Sequence, residues 1–310
     1  MTGKQRFQQT MRFEQPDRPP HFESMFELEH EAFGMRFPDR NSWGGMTPAE
    51  KDAAVGLCMS IYEKIVERFQ WDALAVYWPW SDPDGLRAAK RTFGEQIAIG
   101  GIIGGTVWSI ESISDWMQFS MDVMEQPELI HQEAEQRLQA TLPKAEAMVA
   151  AGADFILLVN DVAFNAGPFI SPRQFSEFVT PYYQRAVEAI KAMGVVCIVH
   201  SDGNLMPVLD QMLSLKAHCL HSIDPMAGMD IAEVKRLTYP QMAMMGNVQC
   251  NLLQDGPLAA IEESVLYALN SAAPGGGYVF STSNTIFPGM PLEHYEYMLE
   301  VFAKWQRGEA

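Results

Sequence analysis

Short apolar, β-prone runs alternate along this chain with longer amphipathic stretches. The runs cover 21–26, 71–77, 96–103 (or, as the alternative, 106–110), 154–160, 195–200, 219–223, 242–246 and 278–283. Helical spacing fills 48–69, 127–150, 171–193, 204–215, 230–237, 257–271 and 291–306 between and after them. Thr47 before Pro48, and Ser171 before Pro172, each pair an N-cap residue with a proline suited to the first helical turn. Strand runs that alternate with helices predict parallel strands joined by crossover helices. Eight of them predict a (β/α)8 TIM barrel, here one domain over 1–310 with an N-terminal helical extension. The rival is a doubly wound open sheet, which calls for a glycine-rich turn after an early strand. The GGIIGG run at 100–105 has neither the spacing nor the position for that, and no phosphate-binding loop of the Walker type is present.

In a barrel, chemistry collects where strands end, so the polar residues closing each run become the candidates. Glu23 and Met25 stand in the first run, and Tyr77, Trp78 and Trp80 follow the second. Asn160 and Asp161 close the fourth, and His200 and Asp202 the fifth. Asp224 closes the sixth, Asn247 the seventh, and Ser283 and Asn284 the eighth. These residues are far apart in sequence, and the barrel predicts that they converge on one mouth. In a strand, residues i and i+2 face the same side. If the strand persists to 202, His200 and Asp202 point together, either as an acid/base unit or as two metal ligands. Tyr77, His200, Asp202 and Asp161 are the expected catalytic groups. Glu23, Met25, Trp78, Trp80, Asn160, Asn247, Ser283 and Asn284 are expected to line the substrate site, with Trp78 and Trp80 suited to an aromatic wall. Neither a G-x-S-x-G elbow nor an HExxH motif is present.

Composition narrows the partners. The 310 residues carry 22 Lys and Arg against 39 Asp and Glu, a formal net charge of -17. That balance disfavours nucleic acid and anionic membrane surfaces. No apolar run approaches the roughly 20 residues of a membrane span. The polar N-terminus lacks the apolar stretch of a signal peptide, and Cys58, Cys197, Cys219 and Cys250 form no CxxC pair. Both features lead us to expect a cytoplasmic protein with reduced thiols.

Several segments in order then carry a resemblance: Phe164–Pro172 (FNAGPFISP), His200-Ser201-Asp202-Gly203, Gly246-Asn247-Val248, Pro274–Tyr278 (PGGGY) and Ile286–Pro291 (IFPGMP). Together, from Pro16-Asp17-Arg18 to the final helix, they resemble the uroporphyrinogen decarboxylase superfamily. That superfamily also holds cobalamin-dependent methyltransferases, including coenzyme M methyltransferases and O-demethylase components. The resemblance implies the same (β/α)8 barrel. True decarboxylases have an arginine-rich stretch after the first strand, which binds the substrate's carboxylates. This chain has Met25-Phe26-Glu27-Leu28-Glu29-His30-Glu31 there, so a polycarboxylate meets acids instead. The thiol-methylating members have a His-x-Cys zinc motif and a later cysteine. Here His200 matches the histidine, while Asp202 and Asn284 stand at the cysteine positions. The resemblance therefore implies a harder zinc site built from His200, Asp202 and a further carboxylate, Glu23 or Asp161. The function it implies is demethylation of a small methoxylated or methylated compound onto a cobalt(I) corrinoid carried by a partner protein. Two alternatives stay open: decarboxylation of a porphyrinogen or smaller acid, with Arg87, Arg91 or Arg173 as the cationic clamp, and a non-catalytic barrel that binds a corrinoid or a partner.

Overall fold

The computed structural model describes residues 1–79 and 82–309. Among these, seven parallel strands form one sheet: β1 (Ala73–Val76), β2 (Ala98–Gly104), β3 (Phe155–Val159), β6 (Val196–His200), β7 (Cys219–His221), β8 (Ala243–Val248) and β9 (Tyr278–Thr282). A two-stranded antiparallel hairpin, β4 (Ala163–Phe164) and β5 (Gly167–Pro168), stands apart after β3. The main sheet runs in the order β1-β2-β3-β6-β7-β8-β9. Its strands are buried almost throughout, as expected when helices cover the outer face of a parallel sheet.

The eight-strand expectation is corrected to seven. The first run, 21–26, makes only isolated bridges, His21 to Phe280 and Phe26 to Ile286. Pro19 and Pro20 bring no N–H to a ladder. The His21 N–H is taken by the Asp72 carboxylate at 2.8 Å rather than by a neighbouring strand. The same segment still touches both edges of the sheet. Asp72, just before β1, donates its N–H to the His21 carbonyl at 2.7 Å, and Phe280 in β9 donates to the Pro20 carbonyl at 2.9 Å. One short segment can reach both edges only if the sheet is curled.

The helices follow the sequence pattern where it marked them, but Pro83–Phe93 and Trp116–Glu125 are helices that it did not mark. Pro48–Phe69 opens on a capping box in which Thr47 and Glu50 satisfy each other's backbone, and Pro127–Ala150 matches its expected span. The expected 171–193 helix is two, Pro172–Phe178 and Thr180–Ala192. Pro181 breaks it, because its ring collides with the preceding turn and it has no N–H to donate. The third strand settles on Ala98–Gly104, while the alternative stretch 106–110 is irregular and runs into a 3-10 turn at Ile110–Ser112.

The interior packs large rings against missing side chains. A Cβ at Gly100 would lie 2.4 Å from the Phe155 ring, and Phe155 in turn meets Phe7 and Phe22 at centroid distances of 5.3 and 5.6 Å. The N-terminal helix Gly3–Met11 thus seats Phe7 against the sheet interior.

Gly203, directly after Asp202, has φ +84°, and a Cβ there would stand 2.2 Å from the Ala163 carbonyl oxygen. Backbone cannot yield as a side-chain tip can. Gly203→Ala is expected to destabilise the fold by about 2 kcal/mol or more, read as a lower urea midpoint. An unchanged midpoint would show that the β6 exit does not need this close approach.

Candidate functional site

The ends of β3, β6, β7 and β9 meet at one place, and the pairing register decides what meets there. Val159 pairs with His200, and His200 with His221. The two imidazoles are therefore neighbours on adjacent strands. Their Nδ1 atoms are 2.7 Å apart, and the rings tilt by 37° at a centroid distance of 4.7 Å. His221 is fully buried, and its Nε2 lies 3.2 Å from the Thr282 carbonyl oxygen in β9. Burial, followed by its neighbour His200, pushes its pKa well below the ordinary histidine value.

On its other side His200 faces two carboxylates. Its Nε2 is 3.6 Å from Asp161 Oδ1 and 3.8 Å from Asp202 Oδ1. One ligand atom from each of Asp161, His200 and Asp202 lies within 4.8 Å of the others. The backbone holds this arrangement, since the Asp202 N–H donates to Asp161 Oδ1 at 2.9 Å. Asn284 donates its amide to Asp202 Oδ2, while Asp202 Oδ1 is buried without a hydrogen-bond donor. Burial raises the Asp202 carboxyl above its ordinary range, with the attraction of His200 opposing and Asp224 and Glu111 reinforcing. Glu111 reaches the same group from the loop after β2. Desolvation and a hydrogen bond to Asp161 raise its pKa as well. Asp224 accepts the Gly203 N–H at 3.2 Å, tying the β7 exit to the β6 exit.

The donor set suits a divalent cation. Tetrahedral ligands at about 2.0 Å from zinc sit roughly 3.3 Å apart, and the distances from His200 to its two carboxylates are only slightly larger. The unpartnered Asp202 Oδ1 is the kind of buried oxygen that such an ion would satisfy. One imidazole with two carboxylates favours harder or borderline metals over those that need thiolates. The four cysteines are buried and free, and burial pushes the Cys197 and Cys250 thiols up to about 12 and about 11.

The other expected site residues lie around this cluster in different settings. Glu23 is not one of the three converging groups. It is fully buried, and its Oε2 accepts from Ser281 Oγ at 2.7 Å, Thr282 Oγ1 at 2.7 Å and Thr282 N at 3.0 Å, leaving Oε1 unpartnered. Asn160 serves the scaffold: its Oδ1 accepts from the Thr106 and Val107 N–H groups, and its amide donates to Tyr183. Tyr77 is buried and donates to the Phe26 carbonyl at 2.6 Å, with Tyr62 and Phe37 against its ring. Trp78 is buried against Trp43, and its indole N–H is unpartnered. Trp80 lies outside the described residues. Met25 is half-buried and accepts from Ile286 N through its backbone. Asn247 donates to the Ile223 carbonyl, and Ser283 to Cys250 Sγ. His221, Glu111 and Thr282 are the groups that reading strand ends overlooks. His221 was findable as a lone histidine inside the apolar run CLHSI.

Comparisons with known proteins now bear on this geometry. The family model described as "Uroporphyrinogen decarboxylase (URO-D)" matches residues 84–305. The chain belongs to that family. It is 28% identical over 238 residues to a uroporphyrinogen decarboxylase of Anaeromyxobacter dehalogenans, covering 74% of this chain and 66% of that protein. It is 25% identical over 212 residues to the methylcobamide:CoM methyltransferase MtaA of Methanosarcina barkeri, covering 68% of this chain and 59% of that protein. The chain thus spans about two thirds or less of the length of these relatives. A solved methyltransferase from Methanosarcina mazei superposes with a TM-score of 0.78 at 18% identity, covering 98% and 99% of the two chains. That likeness shows a shared fold. No helix among the described residues is long and apolar enough to cross a membrane.

Burial holds the Glu23 carboxyl up at about 7 against an ordinary value of 4.5. The folded state then binds more protons than the unfolded state between those two values. The Glu23 contribution to stability is greatest below about 4.5, falls as pH rises to about 7, and is flat above it. At about 1.4 kcal/mol per pKa unit, the loss is on the order of a few kcal/mol. Glu23→Gln should flatten that slope in urea melts taken across this window. An unchanged slope would place its cause elsewhere.

Proposed function

We propose that the chain is a corrinoid-linked methyltransferase. It would take a methyl group from a small methoxylated or methylated compound and pass it to cobalt(I) of a corrinoid on a separate protein, which acts as the second substrate. The observation that carries this reading is the acid-lined Asp161–His200–Asp202 cluster, reinforced by Glu111 and Asp224. An anionic mouth favours a neutral donor over a porphyrinogen with many carboxylates. The methyltransferase relatives support the same branch. In this reading the sheet closes as a (β/α)8 barrel, with the 20–26 segment in the place of the eighth strand.

Asp161, His200 and Asp202 would hold a divalent metal, zinc being the first choice for one imidazole and two carboxylates. Such an ion supplies Lewis-acid polarisation of the donor's heteroatom. The protein's own groups handle position and protons. Asn284 keeps the Asp202 carboxylate oriented through Oδ2, and the Asp202 N–H does the same for Asp161. In the transfer, the methyl–oxygen bond breaks with its electron pair left on oxygen, and cobalt(I) provides the pair of the new bond. The departing oxygen needs a proton. Glu111, held above the usual carboxylate range beside Asp161, is the general acid of this proposal.

Two measurements test the reading. Purified protein, a panel of methoxyaromatic and methylated donors and a reduced corrinoid protein should yield methylcobalt absorbance. Glu111→Gln should lower that rate by about a hundredfold. No absorbance with any donor, or a decarboxylated porphyrinogen formed without corrinoid, would overturn the assignment. Separately, equilibrium dialysis should give near-stoichiometric zinc in the wild type and at least tenfold weaker retention in His200→Ala and Asp202→Asn. Equal occupancy in all three would remove the metal site.

A further inference from the structure

Two ring nitrogens 2.7 Å apart hold one proton between them. Two lone pairs at that distance repel, and two N–H groups collide. Which ring owns the proton follows from the far side of His221. Its Nε2 faces the Thr282 carbonyl oxygen, which only accepts, so Nε2 carries hydrogen. Thr282 is fixed in turn, because its N–H and hydroxyl both donate to buried Glu23 Oε2. If His221 also carried the shared proton, it would be a cation at 0% exposure, with a carbonyl and an imidazole against its nitrogens and no anion on either. A buried charge left so is costly. His221 is therefore neutral with a bare Nδ1, and the shared proton belongs to His200 Nδ1.

The consequence lies on the opposite edge of His200. With hydrogen on Nδ1, the neutral ring has a lone pair on Nε2, aimed toward Asp161 Oδ1 and Asp202 Oδ1. Three acceptors then face one another, an arrangement that a proton or a metal cation resolves. The other tautomer would put N–H on Nε2, and the two carboxylates would be answered from within the protein. We propose that His221 is a positioning residue that selects the His200 tautomer and so makes the Asp–His–Asp cluster an acceptor set for a divalent cation. Its place in a methyl transfer rests on the function proposed above, while the tautomer itself does not.

The tautomer is read directly from imidazole 15N shifts of the metal-free wild-type protein at mildly alkaline pH. The expected spectrum has His200 Nδ1 in the protonated range and Nε2 in the bare range. The reverse assignment overturns the proposal. The second arm is titration with Co2+, followed by its visible absorption, in variants first shown to melt cooperatively. His221→Phe removes the acceptor and should weaken Co2+ binding by at least about tenfold. His221→Asn keeps an oxygen acceptor near the Nδ1 position and should restore most of the affinity. Wild-type affinity in a folded His221→Phe, or no rescue by His221→Asn, overturns the positioning role. If the wild type binds no Co2+ while the 15N shifts are as expected, the metal reading fails and the tautomer assignment stands.

Discussion

The contact between His200 and His221 depends on strand register before it depends on either side chain. Parallel pairing of β6 with β7 sets the two residues opposite each other, and a shift of one residue would turn either ring to the other face of the sheet. Because both strands are buried, the imidazoles meet where water does not compete for their nitrogens. Everything else at the site is arranged around that pair. Thr282 of β9 receives one end, Asp161 and Asp202 face the other, and Glu23 anchors Thr282 from behind.

Such a line of groups can form only in a curled sheet. Glu23 comes from the start of the chain and Thr282 from near its end, yet two hydrogen bonds join them in the buried interior and a third joins Glu23 to Ser281. The 20–26 segment makes this possible without being a strand. It spends its backbone groups one at a time, on Asp72, on Phe280 and on Ile286, and leaves Glu23 turned inward. The cost of burying that carboxyl appears as its raised pKa.

Membership of the uroporphyrinogen decarboxylase family does not choose the reaction, because one fold hosts several chemistries and the site residues decide among them. In this chain the residues around His200 are acids, an amide and a second imidazole, His221. Arg40 does approach the first loop, but it lies 3.7 Å from Glu27, so its charge is shared with an acid there. The thiol positions suggested by the methyltransferase resemblance hold Asp202 and Asn284, and the structure joins those two side chains by a hydrogen bond. A carboxylate steadied by an amide is a different ligand environment from a pair of thiolates.

Periodicity alone located most of the long helices, though not Pro83–Phe93 or Trp116–Glu125, and seven of the eight strand runs, because burial of a strand and amphipathic coverage by a helix are properties of short windows. It also marked His200 and Asp202 as a pair, although β6 ends at His200 and Asp202 meets it from just beyond the strand. The sequence could not decide that 20–26 forgoes a ladder, which depends on Asp72 capturing the His21 N–H from 51 positions away. It set Asp161 among the catalytic groups, but it could not see that Asn160 beside it, expected to line the substrate site, has its amide used up on Thr106, Val107 and Tyr183. His221 read as one polar residue in an apolar run. Only the tertiary structure gave it a partner, because hydrogen bonds across strands depend on register and on the approach of distant backbone, and neither is written in any window of the chain.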